Sequence, residues 1–173
     1  MNGERPPRRV LIVRHAQAER EPPGGGPDKE RPLSDHGEHE ARLAGGRLQA
    51  RGIILDLIVS SPATRAAGTA RLLAKRLRYD AEAIQYELAI YNASRTTLLE
   101  LLSDTDDGNS CVALVGHNPG LSELAATLSA DPVAGLPTCG IIGLVLPQLQ
   151  DWASLRPNTG KLEFTDFGRT TPT

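Results

Sequence analysis

Short apolar runs alternate with segments of helical spacing along most of this chain of 173 residues. The runs cover residues 10–13, 53–59, 111–115 and 140–146, and each has charged residues, Gly or Pro at one or both ends. Such runs are typical of strands that are buried on both faces of a parallel sheet. Strands that alternate with helices form βαβ units, so we predict an α/β fold. We expect a three-layer sandwich with a mostly parallel central sheet and helices on both faces.

Helix start signals follow several of these runs. Ser34 precedes the acidic first turn of a helical segment, which predicts an N-cap and a helix that ends at Gly52. Ser61-Pro62 and Asn118-Pro119 each place an N-cap residue before a Pro at the first helical position. These two pairs predict helices that run to about residues 77 and 129. The remaining predicted elements are a short strand over 83–86, a helix over 94–103, and a terminal hairpin of 152–155 with 161–164.

Two segments lack any such pattern. Residues 1–7 are charged and rich in Pro, and we interpret them as a flexible N-terminal arm. Residues 19–32 contain the run Pro22-Pro23-Gly24-Gly25-Gly26, which predicts a mobile loop with nothing that can pack. We find no internal repeat and no sign of a second domain, so we expect residues 8–173 to form a single domain.

Composition excludes several classes of function. The 19 basic and 21 acidic residues give a net charge of -2, which argues against nucleic acid or an anionic membrane as a partner. Aromatic residues make up 3% of the chain, too few for a base-stacking surface. The apolar runs are too short to span a bilayer, and the charged N-terminus does not resemble a secretory signal. Cys111 and Cys139 have no metal-site spacing, so we expect a reduced, cytoplasmic protein.

Basic side chains stand at the carboxyl ends of three predicted strands. Arg14 and His15 follow the first strand, Arg65 lies in the helix after the second, and His117 follows the strand over 111–115. Taken alone, each of these residues is interpreted as structural or as a solvated charge. Ligands of open α/β sheets bind at this edge, however, and two helix N-termini there add partial positive charge. Together the four residues predict an anion site, and the Arg side chains suit a phosphoryl group.

Several segments, in order, resemble the histidine phosphatase (phosphoglycerate mutase-like) superfamily. Leu11-Ile12-Val13-Arg14-His15-Ala16 is similar to its Arg-His-Gly/Ala signature. Within the superfamily the chain most resembles the branch of small phosphohistidine phosphatases of the SixA type. The supporting segments are Arg31-Pro32-Leu33-Ser34, Ser60-Ser61-Pro62-Ala63-Thr64-Arg65-Ala66, Glu87-Leu88, Tyr91-Asn92-Ala93-Ser94, Val115-Gly116-His117-Asn118-Pro119-Gly120-Leu121-Ser122, Leu136-Pro137-Thr138 and the tail over 152–164.

The resemblance implies a role for each basic residue. His15 would be the nucleophile, and its neutral imidazole would attack phosphorus to give a phosphohistidine intermediate. Arg14, Arg65 and His117 would bind the phosphoryl oxygens and the charge that spreads over them in the transition state. We expect His117 to be protonated, because a nearby phosphate dianion favours its charged form. No metal or other cofactor is implied, since the guanidinium groups already supply positive charge.

Two carboxylates are less well defined by the pattern. Glu87 matches the position at which larger relatives carry a general acid, and an exposed carboxylate with no role is an equally good interpretation. Glu21 lies six residues after His15, where larger relatives have an Asn that touches phosphate. A carboxylate repels phosphate, so we interpret Glu21 as a solvated loop charge. A non-catalytic protein could still result if Glu21 filled the pocket as an internal pseudo-substrate.

The hypothesis is therefore a metal-independent phosphatase whose substrate is phosphohistidine on a protein. The alternatives are a broad phosphatase of small phosphoesters and a phosphate-binding module without turnover.

The sequence lacks the residues that three other kinds of site require. The chain has no P-loop signature, and neither cysteine has an Arg six residues on, as a Cys-based phosphatase needs. His36 and His39 have only Glu40 nearby as a further metal ligand, so we interpret them as a solvated helix face.

Overall fold

A computed structural model of the protein describes residues 3–168. Six strands form one sheet, and they are β1 (Arg8–Arg14), β2 (Leu57–Ser60), β3 (Gln85–Tyr86), β4 (Cys111–Gly116), β5 (Ile141–Leu146) and β6 (Lys161–Asp166). Four α-helices connect them, and they are α1 (Asp35–Ala50), α2 (Thr64–Arg76), α3 (Arg95–Ser103) and α4 (Gly120–Leu128). Five short 3-10 turns lie in the connections.

The sheet has the strand order β3-β2-β4-β1-β5-β6. The first four strands in this order run parallel to one another, and β5 pairs antiparallel with both β1 and β6. Parallel neighbours need a crossover, and the segments that contain the helices supply it. The α/β fold class and the mostly parallel sheet predicted from the alternating pattern are confirmed.

The core has two halves, one on each face of the sheet. Alternate residues of β1 point to opposite faces, so Leu11 and Val13 pack in one half while Val10 and Ile12 pack in the other. Helices α1 and α2 cover the first half, for example through Leu48. Helices α3 and α4 cover the second half. These two helical layers around the sheet are the predicted sandwich.

Local capping signals locate two helices correctly. The hydroxyl oxygen of Ser34 accepts a hydrogen bond of 3.0 Å from the N–H of Gly37 at the start of α1. Ser94 accepts in the same way from Thr97 at the start of α3. Past the end of α1, Gly52 has a φ of 75°, which only glycine adopts without strain. The helices predicted to end at Gly52 and to cover 94–103 are therefore confirmed within a residue or two.

The two Pro-containing start signals are displaced in the structure. Helix α2 begins at Thr64 and its N-cap position is Ala63, so Ser61-Pro62 does not supply the predicted cap and first residue. Helix α4 likewise begins after Pro119, at Gly120. Asn118 still caps this helix from one residue farther away, because its Oδ1 accepts from the N–H and the hydroxyl of Ser122.

Strand β2 is shorter than the apolar run that predicts it. The run begins at residue 53, whereas the strand begins at Leu57. Asp56 marks the boundary, because its carboxylate accepts hydrogen bonds from the N–H groups of Ser110 and Cys111 where β4 begins. Ile53 and Leu55 lie before this point and are buried in the core without a partner strand. The apolar residues before Asp56 therefore indicate burial in the core and not pairing in the sheet.

The predicted terminal hairpin is wrong. Residues Trp152–Ser154 form a 3-10 turn, and β6 pairs antiparallel with β5. Trp152 is fully buried, and its indole Nε1–H donates to the carbonyl oxygen of Asn109 at 2.8 Å. Trp152 packs in the second half of the core, beside α3, so the segment 152–155 forms a turn and does not pair with β6.

The two segments without a periodic pattern, residues 1–7 and 19–32, differ in the structure. Residues 3–7 have no regular secondary structure and are exposed, and residues 1 and 2 of the predicted arm lie outside the described residues. The end of the predicted domain, residues 169–173, lies outside them as well. The loop over 19–32 contains two 3-10 turns and makes specific contacts, contrary to the prediction that nothing in it packs. Between residues 3 and 168, no helix has the length and apolar character needed to cross a bilayer.

Candidate active site

The three strands that carry the basic residues are neighbours in the sheet. Arg14 at the end of β1 lies beside Gly116 at the end of β4, and Ser60 at the end of β2 lies beside Val115. The backbone continues this register, because the N–H of His15 donates to the carbonyl oxygen of Gly116 at 3.1 Å. The carboxyl ends of β2, β4 and β1 therefore meet at one edge, as the α/β pattern predicts.

His15 is held in one orientation by the backbone next to it. Its Nδ1 lies 2.7 Å from the carbonyl oxygen of Ala16. A carbonyl oxygen can only accept a hydrogen bond, so Nδ1 must carry the proton. The neutral imidazole then has its lone pair on Nε2. This tautomer is the one that a nucleophilic histidine needs if it is to attack through Nε2.

His117 lies across the site from His15. The centroids of the two rings are 5.2 Å apart, and the rings are tilted by 54°. His117 Nε2 lies 2.8 Å from the hydroxyl oxygen of Ser61. The other ring nitrogen, Nδ1, is buried and has no hydrogen-bond partner among the described residues. Tyr91 closes another side of the ring, edge-on at 5.5 Å between centroids.

Burial sets the charge of both histidines. Removal from water lowers the pKa of His15 to about 4, and the nearby charges of Arg65 and Arg14 act in the same direction. Burial also lowers the pKa of His117 to about 3, with further contributions from His15 and Arg65. Both rings are therefore neutral at pH 7 in the protein alone. The predicted positive charge on His117 would have to arise with a bound anion.

The two arginines differ in how they are held. Arg14 is half-buried and donates from Nη1 to the carbonyl oxygen of Leu136 at 3.1 Å. Arg65 is 5% exposed and lies in the first turn of α2. The Nε atom of each side chain is buried without a partner among the residues that the structure describes. Two guanidinium groups with unused N–H donors beside two neutral imidazoles make a site that attracts an oxyanion.

The chain is similar to several known proteins. Residues 10–88, which include Arg14, His15 and Arg65, match the family described as the histidine phosphatase superfamily (branch 1). Uncharacterized proteins from two strains of Mycobacterium tuberculosis (CDC 1551 / Oshkosh and H37Rv) are 33% identical over 162 residues, which cover 87% of this chain and 96% of each relative. The chain belongs to the histidine phosphatase superfamily.

Several solved structures are similar to this protein over most of its length. A protein of Agrobacterium tumefaciens that carries the name of the phosphohistidine phosphatase SixA is 28% identical, with a TM-score of 0.75 over 92% of this chain and 97% of that one. The protein histidine phosphatase SixA in complex with tungstate is 21% identical, with a TM-score of 0.78 over 92% and 97%. A mycobacterial glucosyl-3-phosphoglycerate phosphatase is 20% identical, with a TM-score of 0.62 over 90% and 97%. Within the superfamily, the likeness is to proteins of the SixA type.

The candidate active site contains a carboxylate that the sequence did not single out. Asp28, in the loop over 19–32, accepts from Arg65 twice: Nη2 donates to Oδ2 and Nη1 donates to the backbone oxygen, each at 3.0 Å. The hydroxyl of Tyr91 donates to the same Oδ2 at 2.6 Å, and Arg31 Nε donates to Oδ1 at 2.8 Å. These donors hold the pKa of the Asp28 carboxyl far below its usual range. Its spacing of three residues from Arg31 is the only signal in the sequence.

Thr69 is a second residue of the candidate active site that sequence reasoning missed. It is fully buried on α2, and its hydroxyl donates to the carbonyl oxygen of Arg65 at 2.8 Å. The hydroxyl oxygen of Thr69 also accepts a hydrogen bond from the N–H of Ala16 at 3.0 Å. One side chain therefore links the backbone after His15 to the backbone of Arg65. A single Thr at helical spacing from an Arg is too common a pattern to have indicated this.

Neither predicted carboxylate joins the cluster. Glu87 is exposed, and its side chain forms no hydrogen bond with any other residue in the range 3–168. It lines a cavity of about 470 Å³ together with residues of α3 such as Thr97 and Glu100, and none of the four basic residues lines that cavity. Glu21 is also exposed and makes no side-chain hydrogen bond within this range. The carboxylate that reaches the basic cluster is that of Asp28.

The remaining candidates behave as the sequence indicates. Cys111 and Cys139 are free and buried, and burial raises the pKa of each thiol to about 12. Such thiols are inert as nucleophiles. His36 and His39 are both exposed on α1, as predicted for this helix face, and His36 Nε2 lies 3.5 Å from a carboxylate oxygen of Glu40.

Proposed function

We propose that this histidine phosphatase is a metal-independent enzyme that dephosphorylates phosphohistidine on a protein through a phosphoenzyme at His15. The observation that supports it best is the hydrogen bond from His15 Nδ1 to the carbonyl oxygen of Ala16. This bond directs the free lone pair of His15 to Nε2. A neutral nucleophile with a fixed ring and unused cationic donors beside it has the parts that phosphoryl transfer to histidine requires.

The proposed reaction has two displacements at phosphorus. In the first, Nε2 of His15 forms a bond to phosphorus while the bond to the leaving nitrogen breaks, and the electron pair stays on that nitrogen. In the second, a water oxygen bonds to phosphorus and the bond to Nε2 breaks, which restores neutral His15 and gives inorganic phosphate. Arg14 and Arg65 bind the phosphoryl oxygens in both steps. Their charge takes the place that metal ions have in other phosphoryl-transfer enzymes.

His117 supports the same oxygens through Nδ1. That nitrogen is buried and has no partner among residues 3–168, while Nε2 is engaged by Ser61. A phosphoryl dianion beside the ring raises its pKa, so we expect His117 to take up a proton when the anion binds. The ring then donates from both nitrogens. Because His117 is neutral in the protein alone, the ring becomes positively charged only when the anion binds.

The position of Glu87 favours a nitrogen–phosphorus bond as the bond that is cleaved. A phosphate ester leaves as an alkoxide and needs a proton from an acid. Phosphohistidine leaves as imidazole, whose conjugate acid has a pKa of about 6.5, so a general acid is less important. Glu87 is exposed and lines a cavity against α3, outside the basic cluster. The likeness to the Agrobacterium tumefaciens protein named for SixA supports the same substrate class.

We also propose a cytoplasmic location. Two cysteines that stay free and buried suit a reducing compartment.

Phosphate release from two substrates tests the proposed function. A phosphohistidine peptide and p-nitrophenyl phosphate are each incubated with the protein in the presence of EDTA. We expect turnover of the peptide, loss of this turnover in His15→Ala, and no loss in His39→Ala, which removes an exposed imidazole from α1. Turnover of the ester alone would instead indicate a small-molecule phosphatase. Binding of phosphate without turnover of either substrate would indicate a binding module.

A further inference from the structure

Asp28 is held more firmly than an ordinary loop residue. Its carboxylate accepts from Arg65, Tyr91 and Arg31 at distances between 2.6 and 3.0 Å, and its backbone oxygen accepts from Arg65 as well. Three of these four hydrogen bonds come from elements distant in sequence. Hydrogen bonds of this kind to a charged group are about twice as strong as neutral ones. The Asp28 carboxylate is therefore held in a defined position in the site by these hydrogen bonds.

The carboxylate lies on the solvent side of the phosphoryl-binding residues. The side chain of Arg65 is 6% exposed, whereas that of Asp28 is 53% exposed, so Asp28 covers Arg65 from the outside. The hydroxyl of Tyr91 bonds to Asp28, and the ring of Tyr91 lies 5.5 Å from the ring of His117, so Asp28 and His117 both adjoin Tyr91. Asp28 is therefore a negative charge at the mouth of an otherwise cationic site.

Arg65 can hold Asp28 and a phosphoryl group together. A guanidinium group has five N–H donors, and Asp28 uses one on each terminal nitrogen. The Nε–H and one hydrogen on each terminal nitrogen stay available, and Nε has no partner within residues 3–168. A bound phosphoryl group therefore does not require Asp28 to leave.

The direction of the reaction brings the leaving group to the mouth. In an in-line displacement the nucleophile and the leaving group stand on opposite sides of phosphorus. His15 follows β1 at the sheet edge and is partly buried, whereas Asp28 is exposed, so attack by His15 directs the leaving group towards solvent. On that side it meets the charge of Asp28.

We propose that Asp28 is a specificity-determining residue that selects leaving groups with a protonated nitrogen and disfavours anionic ones. This inference rests on the proposed function. In phosphohistidine, one ring nitrogen is bonded to phosphorus and the other can carry a proton. A carboxylate that accepts a hydrogen bond from this N–H favours the protonated ring. When the nitrogen–phosphorus bond breaks, its electron pair stays on the leaving nitrogen, and the ring departs as neutral imidazole with its proton still on the other nitrogen.

Asp28 has the opposite effect on the cleavage of phosphate esters. An alkoxide or phenolate develops negative charge as its bond to phosphorus breaks. The charge of Asp28 at the mouth repels it, and no proton is supplied there because the carboxyl is ionised. The same residue thus promotes cleavage of a nitrogen–phosphorus bond without a general acid and opposes cleavage of an oxygen–phosphorus bond.

Two other roles for Asp28 make different predictions. If Asp28 only anchors Arg65, its loss lowers activity on every substrate. If Asp28 is an internal competitor for the phosphoryl site, its loss raises activity on every substrate. Only a role in leaving-group selection changes the ratio of activity between the two substrate types.

The test is the ratio of kcat/KM for a phosphohistidine peptide to that for p-nitrophenyl phosphate, measured for wild type and Asp28→Asn. We expect this ratio to fall about tenfold or more in Asp28→Asn, with activity on the ester unchanged or raised. Glu21→Gln is the matched control, because it removes the same charge from an exposed residue of the same loop, and it should keep the wild-type ratio. Tyr91→Phe removes one anchoring hydrogen bond but keeps the charge, so it should also keep the ratio.

An equal fall or an equal rise for both substrates in Asp28→Asn would overturn the inference and leave the proposed function intact. A wild-type ratio in Asp28→Asn would do the same. Failure of the wild-type protein to release phosphate from the peptide would instead overturn the proposed function, and the inference with it. Thermal unfolding of each variant is measured alongside, so that a loss of folded protein is not counted as a loss of activity.

Discussion

The hydroxyl oxygen of Ser61 lies 2.8 Å from Nε2 of His117. Ser61 is fully buried, and the same oxygen accepts a hydrogen bond from the N–H of Ala63. A hydroxyl group both donates and accepts, so Ser61 can hold the imidazole of His117 in its neutral and in its protonated form. The pair fixes the ring so that Nδ1 is the nitrogen that stays available to an oxyanion.

Ser61→Ala should therefore lower kcat/KM by about tenfold, because the ring of His117 loses its fixed orientation and Nε2 loses its partner. The nitrogen chemical shifts of His117 should change in the same variant, since they report the tautomer of the ring. Ser60→Ala is the matched control, because the neighbouring hydroxyl is equally buried but bonds only to a carbonyl oxygen. Wild-type kinetics and shifts in Ser61→Ala would contradict this role.

Arg65→Lys should be costly although it keeps the charge. The guanidinium group of Arg65 binds Asp28 through two nitrogens and keeps further N–H donors for a phosphoryl group. A lysine ammonium cannot reproduce this fork. We expect kcat/KM to fall by at least tenfold, which corresponds to about 1.4 kcal/mol of transition-state stabilisation. Steady-state kinetics on the phosphohistidine peptide measure it, and a smaller loss would show that Arg65 is not aimed at the phosphoryl group.

The lowered pKa values of His15 and His117 predict how stability depends on pH. The pKa of His15 is lowered to about 4 and that of His117 to about 3, whereas an unfolded histidine has a pKa of about 6.5. Between these values the unfolded chain binds protons that the folded protein does not. The stabilisation is therefore complete above about pH 6.5 and is lost as the pH falls towards the folded-state values. Urea denaturation between pH 7 and pH 4 should show this decline.

His117→Asn provides the comparison for that experiment. Other groups also titrate at acidic pH, but only the contribution of His117 is removed by this substitution. The free energy of unfolding should depend less steeply on pH in the variant than in the wild type. Equal slopes would mean that His117 has an ordinary pKa in the folded protein.

Thr69→Val should destabilise the fold at the active-site edge. Valine has nearly the shape of threonine but lacks the hydroxyl that accepts from Ala16 and donates to the backbone of Arg65. A buried N–H without a partner costs about 1–3 kcal/mol. Urea denaturation should show a loss of this size, whereas Thr127→Val, at a partly exposed position of α4, should change stability little. A neutral effect at Thr69 would contradict the proposed link.

The parts of the fold that could be predicted depend on local signals. Ser34 caps α1 through a partner three residues away, so the pattern that indicates it is contained in one short segment. Ser61 shows the same kind of pattern, but its hydroxyl bonds to His117, a residue 56 positions away. A distant partner decided the role of this residue, and no local pattern contains that information.

The same distinction separates the predicted basic residues from Asp28. Arg14, His15 and His117 stand at strand ends, and parallel pairing brings strand ends together whatever the loops do. The distance along the chain from His15 indicates Glu21 as a carboxylate that could reach the site. The path of the loop over 19–32 decides which carboxylate reaches the site, and that path depends on contacts with Arg65 and Tyr91. The wrong terminal hairpin has a similar cause, since Trp152 is buried by residues far from it in sequence.

Trapping of the phosphoenzyme tests the central claim most directly. The protein is mixed with a phosphohistidine peptide, quenched within the first turnover under alkaline conditions that preserve phosphohistidine, and digested for mass spectrometry. The account predicts a phosphoryl group on His15 in the wild type and none in His15→Ala, with His39→Ala labelled like the wild type. Phosphate release without a labelled His15, or a label on another residue, would contradict it.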